Sequence, residues 1–203
     1  MGYESNFDRA VLGKVFRSIK QGKITLPVSI NVYVVPFANK NYFKWFRDEL
    51  LQLPVSVRSQ LSFEFSEARL VQHLDYIRPV VKMLSGLGCT VIVGQAGRSI
   101  VSTHYIKDLK VDYLKLHRSL VKRIDQRDEN QLFVRSMVGA CGDAPTKVIA
   151  VGVENKKEWH TLIDLGVKGG QGRYFAAETQ LLPEAQVKTT SIKPGRRNRW
   201  KRT

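Results

Sequence analysis

The stretch Val91-Ile-Val-Gly-Gln-Ala-Gly-Arg-Ser99 decides how the chain is read. The β-rich run Thr90 to Val93 fits a buried strand, and Gly94 and Gly97 break it before helical spacing resumes. In a βα-repeat protein the loop leaving the carboxyl end of a strand is where chemistry is usually placed. Here that loop offers Gly94, Gln95 and Ala96, with no acid, thiol or histidine. The position suits an active site and the residues do not.

Outward from this strand the chain alternates between the two periodicities. Phe7, Val11, Leu12, Val15, Phe16 and Ile19 share one helical face, and Ser5 or Asn6 can cap that helix. Ile24 to Val35 is β-rich, and a second helix follows with Phe43, Phe46, Leu50 and Leu53 inward, stopped by Pro54. Leu61 to Ser66 reads as a strand. Leu74, Ile77, Val80, Val81 and Leu84 make a helix that Pro79 should kink or restart. Beyond Ser99 come a helix over Val101–Leu109, a strand over Val111–Leu116, a helix near Asn130–Cys141, a strand over Lys147–Val151 and a helix over Lys156–Leu165. Short strands near Val167 and near Arg173–Ala176 close the pattern. Strands alternating with helices at this spacing predict a TIM-like (β/α) barrel, here without its first strand. Residues 5–180 are expected to form that barrel and residues 181–203 a flexible basic tail.

Composition bounds the partners. Thirty-three Lys and Arg against 18 Asp and Glu give +15. Seven of the cations (Lys188, Lys193, Arg196, Arg197, Arg199, Lys201, Arg202) lie in the last sixteen residues, which hold no acid, so the rest carries +8. Such a field favours polyanions, either nucleic acid or an acidic protein face. Cys89 and Cys141 stand apart in apolar surroundings and read as buried free thiols. No apolar run approaches the ~18 residues that span a bilayer. A Met-Gly opening directly before a helix leads us to expect a longer parent protein.

The polar groups expected at the strand ends are Asn31, Glu64, Lys115, His117, Glu154 and Gln171. A two-metal hydrolase needs four or more carboxylates holding ions about 3.5–4 Å apart. Glu64 and Glu154 could hold at most one hard cation weakly. His117 has no second ligand at metal spacing, and the two glycines lack the Lys-Ser/Thr of a phosphate-binding loop. No catalytic residue, metal site or cofactor is predicted.

Several short motifs, in order, resemble the EAL domain family of cyclic di-GMP phosphodiesterases. Ser29-Ile-Asn-Val stands where the family has Val-Asn-Leu-Ser, and Phe63-Glu-Phe-Ser-Glu67 resembles Leu-Glu-Ile-Thr-Glu. Leu87-Gly-Cys precedes the central strand as Leu-Gly-Val does. Val111-Asp-Tyr-Leu-Lys-Leu-His-Arg-Ser-Leu120 resembles Val-Asp-Tyr-Leu-Lys-Ile-Asp-Arg-Ser-Phe, and Ala150-Val-Gly-Val-Glu154 resembles Ala-Glu-Gly-Val-Glu. Gln171-Gly-Arg-Tyr-Phe-Ala176 resembles Gln-Gly-Tyr-Tyr-Phe-Ala. The resemblance implies that Asn31, Glu64, Lys115, Glu154 and Gln171 are the remnant of the family's pocket. Four positions depart. Gly94 and Gln95 replace the metal-binding aspartates of Asp-Asp-Phe-Gly, His117 replaces an aspartate and Val151 a glutamate.

The stretches Gln95–Gly97, Lys115–Leu120, Glu129–Ser136 and Gly169–Gly172 further resemble a catalytically degenerate subfamily that governs turnover of small regulatory RNAs in carbon-storage regulation. That resemblance implies a cytoplasmic domain of an inner-membrane-anchored protein with degenerate GGDEF and EAL domains. It also implies a role in exposing RNA to ribonuclease E, and a partner in the glucose-specific IIA protein of the phosphotransferase system. Two functions stay open: a non-catalytic adaptor, and a receptor that binds cyclic di-GMP without cleaving it. Tyr42 and Trp45 are candidates for an exposed partner surface, and Ile100–Ile106 for a homodimer face.

The tail has two readings, an RNA-contacting arm and a solvated appendage. In the first, Trp200 between Arg199 and Lys201 adds stacking worth ~1–3 kcal/mol. Deleting residues 188–203 is then expected to weaken binding of single-stranded RNA by roughly tenfold or more, read by fluorescence anisotropy. Unchanged affinity would remove the tail from recognition.

Overall fold

In a computed structural model of the protein, the structure describes residues 2–99, 101–142 and 144–178. The expected tail, including Lys188, Lys193, Arg196, Arg197, Arg199, Trp200, Lys201 and Arg202, lies outside the described residues.

Six parallel strands form one sheet in sequence order: β1 (Val28–Asn31), β2 (Leu61–Ser66), β3 (Thr90–Ala96), β4 (Tyr113–Leu116), β5 (Lys147–Val151) and β6 (Gly169–Gln171). Helices connect them: α1 (Gly2–Lys20), α2 (Lys40–Leu51), α3 (Val55–Arg58), α4 (Glu67–Gln72), α5 (Leu74–Gly86), α6 (His104–Leu109), α7 (Arg118–Val121), α8 (Asp128–Cys141) and α9 (Lys156–Asp164). Consecutive parallel pairing with helical crossovers is the TIM-like architecture expected from the sequence, and among the described residues β6 does not pair back to β1.

Alternation along β2 shows why these residues form this sheet. Leu61, Phe63 and Phe65 are buried, while Ser62, Glu64 and Ser66 on the other face are only partly so. The apolar face packs under α2 and the turn Val35–Ala38. There Phe37 meets Tyr42, Phe46 and Phe65 edge-on at 5.0, 5.2 and 6.1 Å, and Phe46 meets Phe63 at 5.2 Å. Such edge-to-face pairs contribute about 0.5–1.5 kcal/mol each beyond burial.

Several elements depart from the sequence expectation. The first helix begins at Gly2, so Ser5 and Asn6 lie inside it, and Phe7 is 47% exposed beside Tyr3 and Tyr33. The β-rich stretch 24–35 yields only Val28–Asn31, because the chain turns at Pro36 into a short 3-10 helix. Pro79 sits inside an uninterrupted α5, and the helical break falls earlier, at His73. Residues 173–175 form a turn, so the closing strand is Gly169–Gln171.

Tyr42 is not part of an exposed partner surface. It is 2% exposed, and its hydroxyl donates to Asp8 Oδ2 at 3.0 Å. Tyr105 and Ile106 likewise face the core, which removes them from the expected homodimer face. Cys89 and Cys141 are buried free thiols, and burial pushes the Cys89 thiol up to about 11. No described helix is long and apolar enough to cross a membrane.

Asp8 ties α1 to the rest of the amino-terminal half. Its Oδ2 accepts from the Tyr33 backbone N–H at 3.0 Å as well as from Tyr42. Burial raises its carboxyl from 3.8 to about 6, and the two hydrogen bonds offset only part of that. The folded state therefore holds the proton more tightly than the unfolded chain. This group's contribution is fully present below about pH 3.8 and declines as pH rises through about 6. Asp8→Asn keeps an acceptor for both donors and removes the decline. The variant is expected to gain about 3 kcal/mol on wild type between about pH 4 and about pH 8 in urea unfolding. An equal pH dependence in the two proteins would sink this assignment.

Candidate functional site

Register collects the site. Asn31 pairs with Glu64, and Glu64 with Ile92. Ile92 pairs with Tyr113, Lys115 with Ile149, and Val151 with Gln171. Because side chains alternate with period two, Asn31, Glu64, Gly94, Lys115, Val151 and Gln171 all project from one face near the carboxyl ends of their strands. Asn31, Glu154 and Gln171 are exposed at that rim.

Glu64 and Lys115 meet there. Lys115 Nζ donates to Glu64 Oε2 at 2.7 Å, with each side chain 17% exposed. The two residues stand on β2 and β4, so their contact crosses over β3 at Gly94. A Cβ on Gly94 would lie 2.8 Å from Glu64 Cδ and closer still to Oε1. The Glu64 carboxylate thus fills the space that any side chain at 94 would enter.

The strand does not break at Gly94. It runs on to Ala96, which pairs with Leu116 after a bulge at Gln95. Gln95 takes a left-handed backbone (φ 59°) and turns its side chain outward, where Oε1 accepts from Arg98 Nη1 at 3.1 Å. Gly97 is also left-handed (φ 77°), and its N–H donates to Glu67 Oε2 at 2.9 Å. Glu67 in turn accepts from the Tyr105 hydroxyl at 2.6 Å.

His117 is not poised as a ligand or base. Its Nδ1 lies 2.8 Å from Ser119 Oγ and accepts from the Ser119 N–H at 3.3 Å, capping α7. Desolvation, Arg98 and Arg118 hold its pKa below the ordinary histidine value. Neutral imidazole with an acceptor Nδ1 suits a cap. Glu154 contributes its backbone N–H to Glu158 Oε2 at 2.8 Å, and Glu158 Oε1 accepts from the Arg123 N–H at 2.8 Å.

Among the described residues no three His, Cys, Asp or Glu side chains gather where they could hold a metal ion. Glu64, the most enclosed carboxylate of the strand-end cluster, is committed to an ammonium. This donor set does not fit a divalent metal pair.

Sequence reasoning missed the buried carboxylates Asp8, Glu67 and Glu158, each 1% exposed and each fixing a loop. The signal for Glu158 was present. Asn155 and Glu158 have capping-box spacing, and the Asn155 side chain accepts from the Glu158 N–H at 3.0 Å.

Residues 1–178 match the EAL domain family. The chain is 38% identical over 183 residues to the RNase E specificity factor CsrD of Escherichia coli K12, covering 89% of this chain and 28% of that relative. Among solved structures, the S helix-GGDEF-EAL portion of Vibrio cholerae LapD superimposes with a TM-score of 0.75 at 22% identity, over 83% of this chain and 41% of that one. The calcium/cyclic di-GMP complex of Klebsiella pneumoniae BlrP1 does so with a TM-score of 0.69 at 26% identity, over 83% and 43%.

Gly94→Ala is expected to push Glu64 off Lys115 and cost about 1–3 kcal/mol in urea unfolding. Most of that cost should vanish in a Glu64→Ala background, read as a double-mutant cycle. An equal cost in both backgrounds would show that the carboxylate does not occupy this space.

Proposed function

The chain belongs to the EAL family, and from the state of its strand-end cluster we propose that it is a non-catalytic regulatory adaptor. The observation that carries this reading is the Glu64–Lys115 ion pair, closed over Gly94 where the family resemblance places a metal-binding aspartate. With Gly94, Gln95, His117 and Val151 at four acidic positions of the family, nothing lowers the pKa of an attacking water. Asn31, Glu64, Lys115, Glu154 and Gln171 are then a pocket remnant held in a retained scaffold.

In this reading the domain promotes ribonuclease E-dependent decay of small regulatory RNAs by bringing components together. The 38% identity to a protein named as an RNase E specificity factor supports it, as does the net charge of +15, which suits an RNA partner. The chain spans 28% of that relative's length. A cytoplasmic setting beside a membrane anchor, and the glucose-specific IIA protein as partner, therefore belong to the proposal for the parent protein.

The second reading, a non-hydrolysing cyclic di-GMP receptor, draws on the dinucleotide complex of the 26% identical BlrP1. Against it, the pocket carboxylate and ammonium neutralise each other and leave no metal to anchor phosphates.

The domain is expected to release no linear dinucleotide from cyclic di-GMP with magnesium, manganese or calcium. Gly94→Asp with Gln95→Asp should not restore turnover, since His117 and Val151 remain. Immobilised domain should retain small regulatory RNA and the IIA protein, each scored separately. Turnover by the wild-type chain would overturn the adaptor reading, and micromolar calorimetric binding of the dinucleotide would favour the receptor.

A further inference from the structure

The helix pair α1 and α2 carries a feature that the strand-end site does not explain. Arg9, Gly13 and Arg17 recur every fourth residue along α1 and, with Lys20, line one wall of a groove. Trp45 and Glu49 on α2 line the other. This cavity is about 360 Å³, and a second of about 360 Å³ continues it past Arg9 towards Asn41.

Arg17 and Lys20 are exposed and Arg9 is half-buried. The Arg9 guanidinium carbon lies 4.3 Å from the Trp45 ring centroid and 5.4 Å from that of Tyr42. Ring faces hold it in place by cation–π attraction, which leaves its N–H edge for an oxyanion. Arg17 folds back over Gly13, whose missing side chain opens the groove floor there, with Nη1 3.7 Å from where a Cβ would stand. Among the described residues neither arginine pairs with a carboxylate at ion-pair distance. Lys20 is partly neutralised, 3.7 Å from Glu49 and bonded to Gln52 at 2.8 Å. Four residues of helix rise about 6 Å, so the Arg9 and Arg17 backbones stand roughly 12 Å apart along the axis, and Arg17 reaches back towards Arg9 over Gly13. Such a spacing lets both guanidinium groups reach phosphates of one extended strand.

We propose that the α1–α2 groove is a phosphodiester track for single-stranded RNA, with Arg9 and Arg17 on phosphates and the Arg9–Trp45 stack as a platform for one base. Positive grooves tracking a backbone beside stacked aromatic and guanidinium planes are how single strands are held without sequence preference. The inference rests on the RNA-binding part of the proposed function and places a contact on the folded body, separate from residues 188–203.

The test uses the full chain and a fluorescent oligouridylate, with anisotropy titrations from about 50 to about 200 mM salt. Each lost single-strand phosphate contact flattens the log–log salt slope by about 0.7, so Arg9→Gln with Arg17→Gln should flatten it by about 1.4. A control, Lys82→Gln with Lys107→Gln, makes the same charge change elsewhere and should leave the slope within about 0.3 of wild type. Trp45→Phe should remove the ultraviolet crosslink to uridine that maps to α2, with circular dichroism confirming that each variant is folded. A wild-type chain that binds no RNA sinks the RNA reading itself. RNA binding with a slope unaffected by the arginine pair sinks only the groove, and equal flattening by the control reduces it to general charge. Arginine-dependent binding of polyglutamate without oligouridylate would assign the groove to an acidic protein and overturn the proposal.

Discussion

The contact between Lys115 and Glu64 can form only because β3 passes beneath it as glycine. The two residues stand on strands that never pair, with β3 between them, so their side chains must bridge a whole strand. Gly94 leaves that path open, and any side chain there would meet the Glu64 carboxylate. The pair is mostly enclosed but keeps some access to water, so its net contribution to stability is small. Its larger effect is on charge. The one enclosed acid of the strand-end cluster is neutralised from within the protein and has no need of an external cation.

A second layer of carboxylates keeps the rim shaped. Glu67 anchors the loop at Gly97, Glu158 draws together the backbones of Arg123 and Glu154, and Asp8 joins α1 to Tyr33 and Tyr42. Each accepts from backbone N–H groups that would otherwise lack partners as the chain turns. These acids hold the loops through hydrogen bonds that do not depend on chemistry in the pocket, so the rim keeps its shape without strand-end acids at 94, 95, 117 and 151.

Much of this was legible in the sequence because period-two burial is a local signal. Leu61–Ser66 and Lys147–Val151 are strands with the same limits in sequence and structure. The rim residues Asn31, Glu64, Lys115, Val151 and Gln171 follow from that signal once the register is known. Tyr42 was misplaced because its burial depends on Asp8, thirty-four residues earlier, which no window around α2 contains. The strand expected near Arg173–Ala176 failed for a related reason. Gly172 packs against the Val153 backbone, where a Cβ would lie 2.5 Å from N, and the chain turns there instead of extending. The Glu64–Lys115 pairing was hidden for the simplest reason, since sequence lists an acid and a base without saying that a glycine lets them touch.

On the family resemblance, the same physics gives the four departures at 94, 95, 117 and 151 one reason to occur together. Carboxylates gathered without a cation repel one another, and the enclosed ones would be driven towards their protonated forms. Removing one acid would leave the others in that state. In the proposed reading, replacing acids at 94, 95, 117 and 151 together leaves Glu64 matched by Lys115 and Glu154 open to solvent. At 117 the replacement also had to keep an acceptor, because α7 starts there and its first turn offers a free N–H. Histidine supplies one through Nδ1, while desolvation, Arg98 and Arg118 favour the neutral ring that can accept. In the proposed reading, histidine at 117 keeps the acceptor that the helix start uses without the charge of an acid.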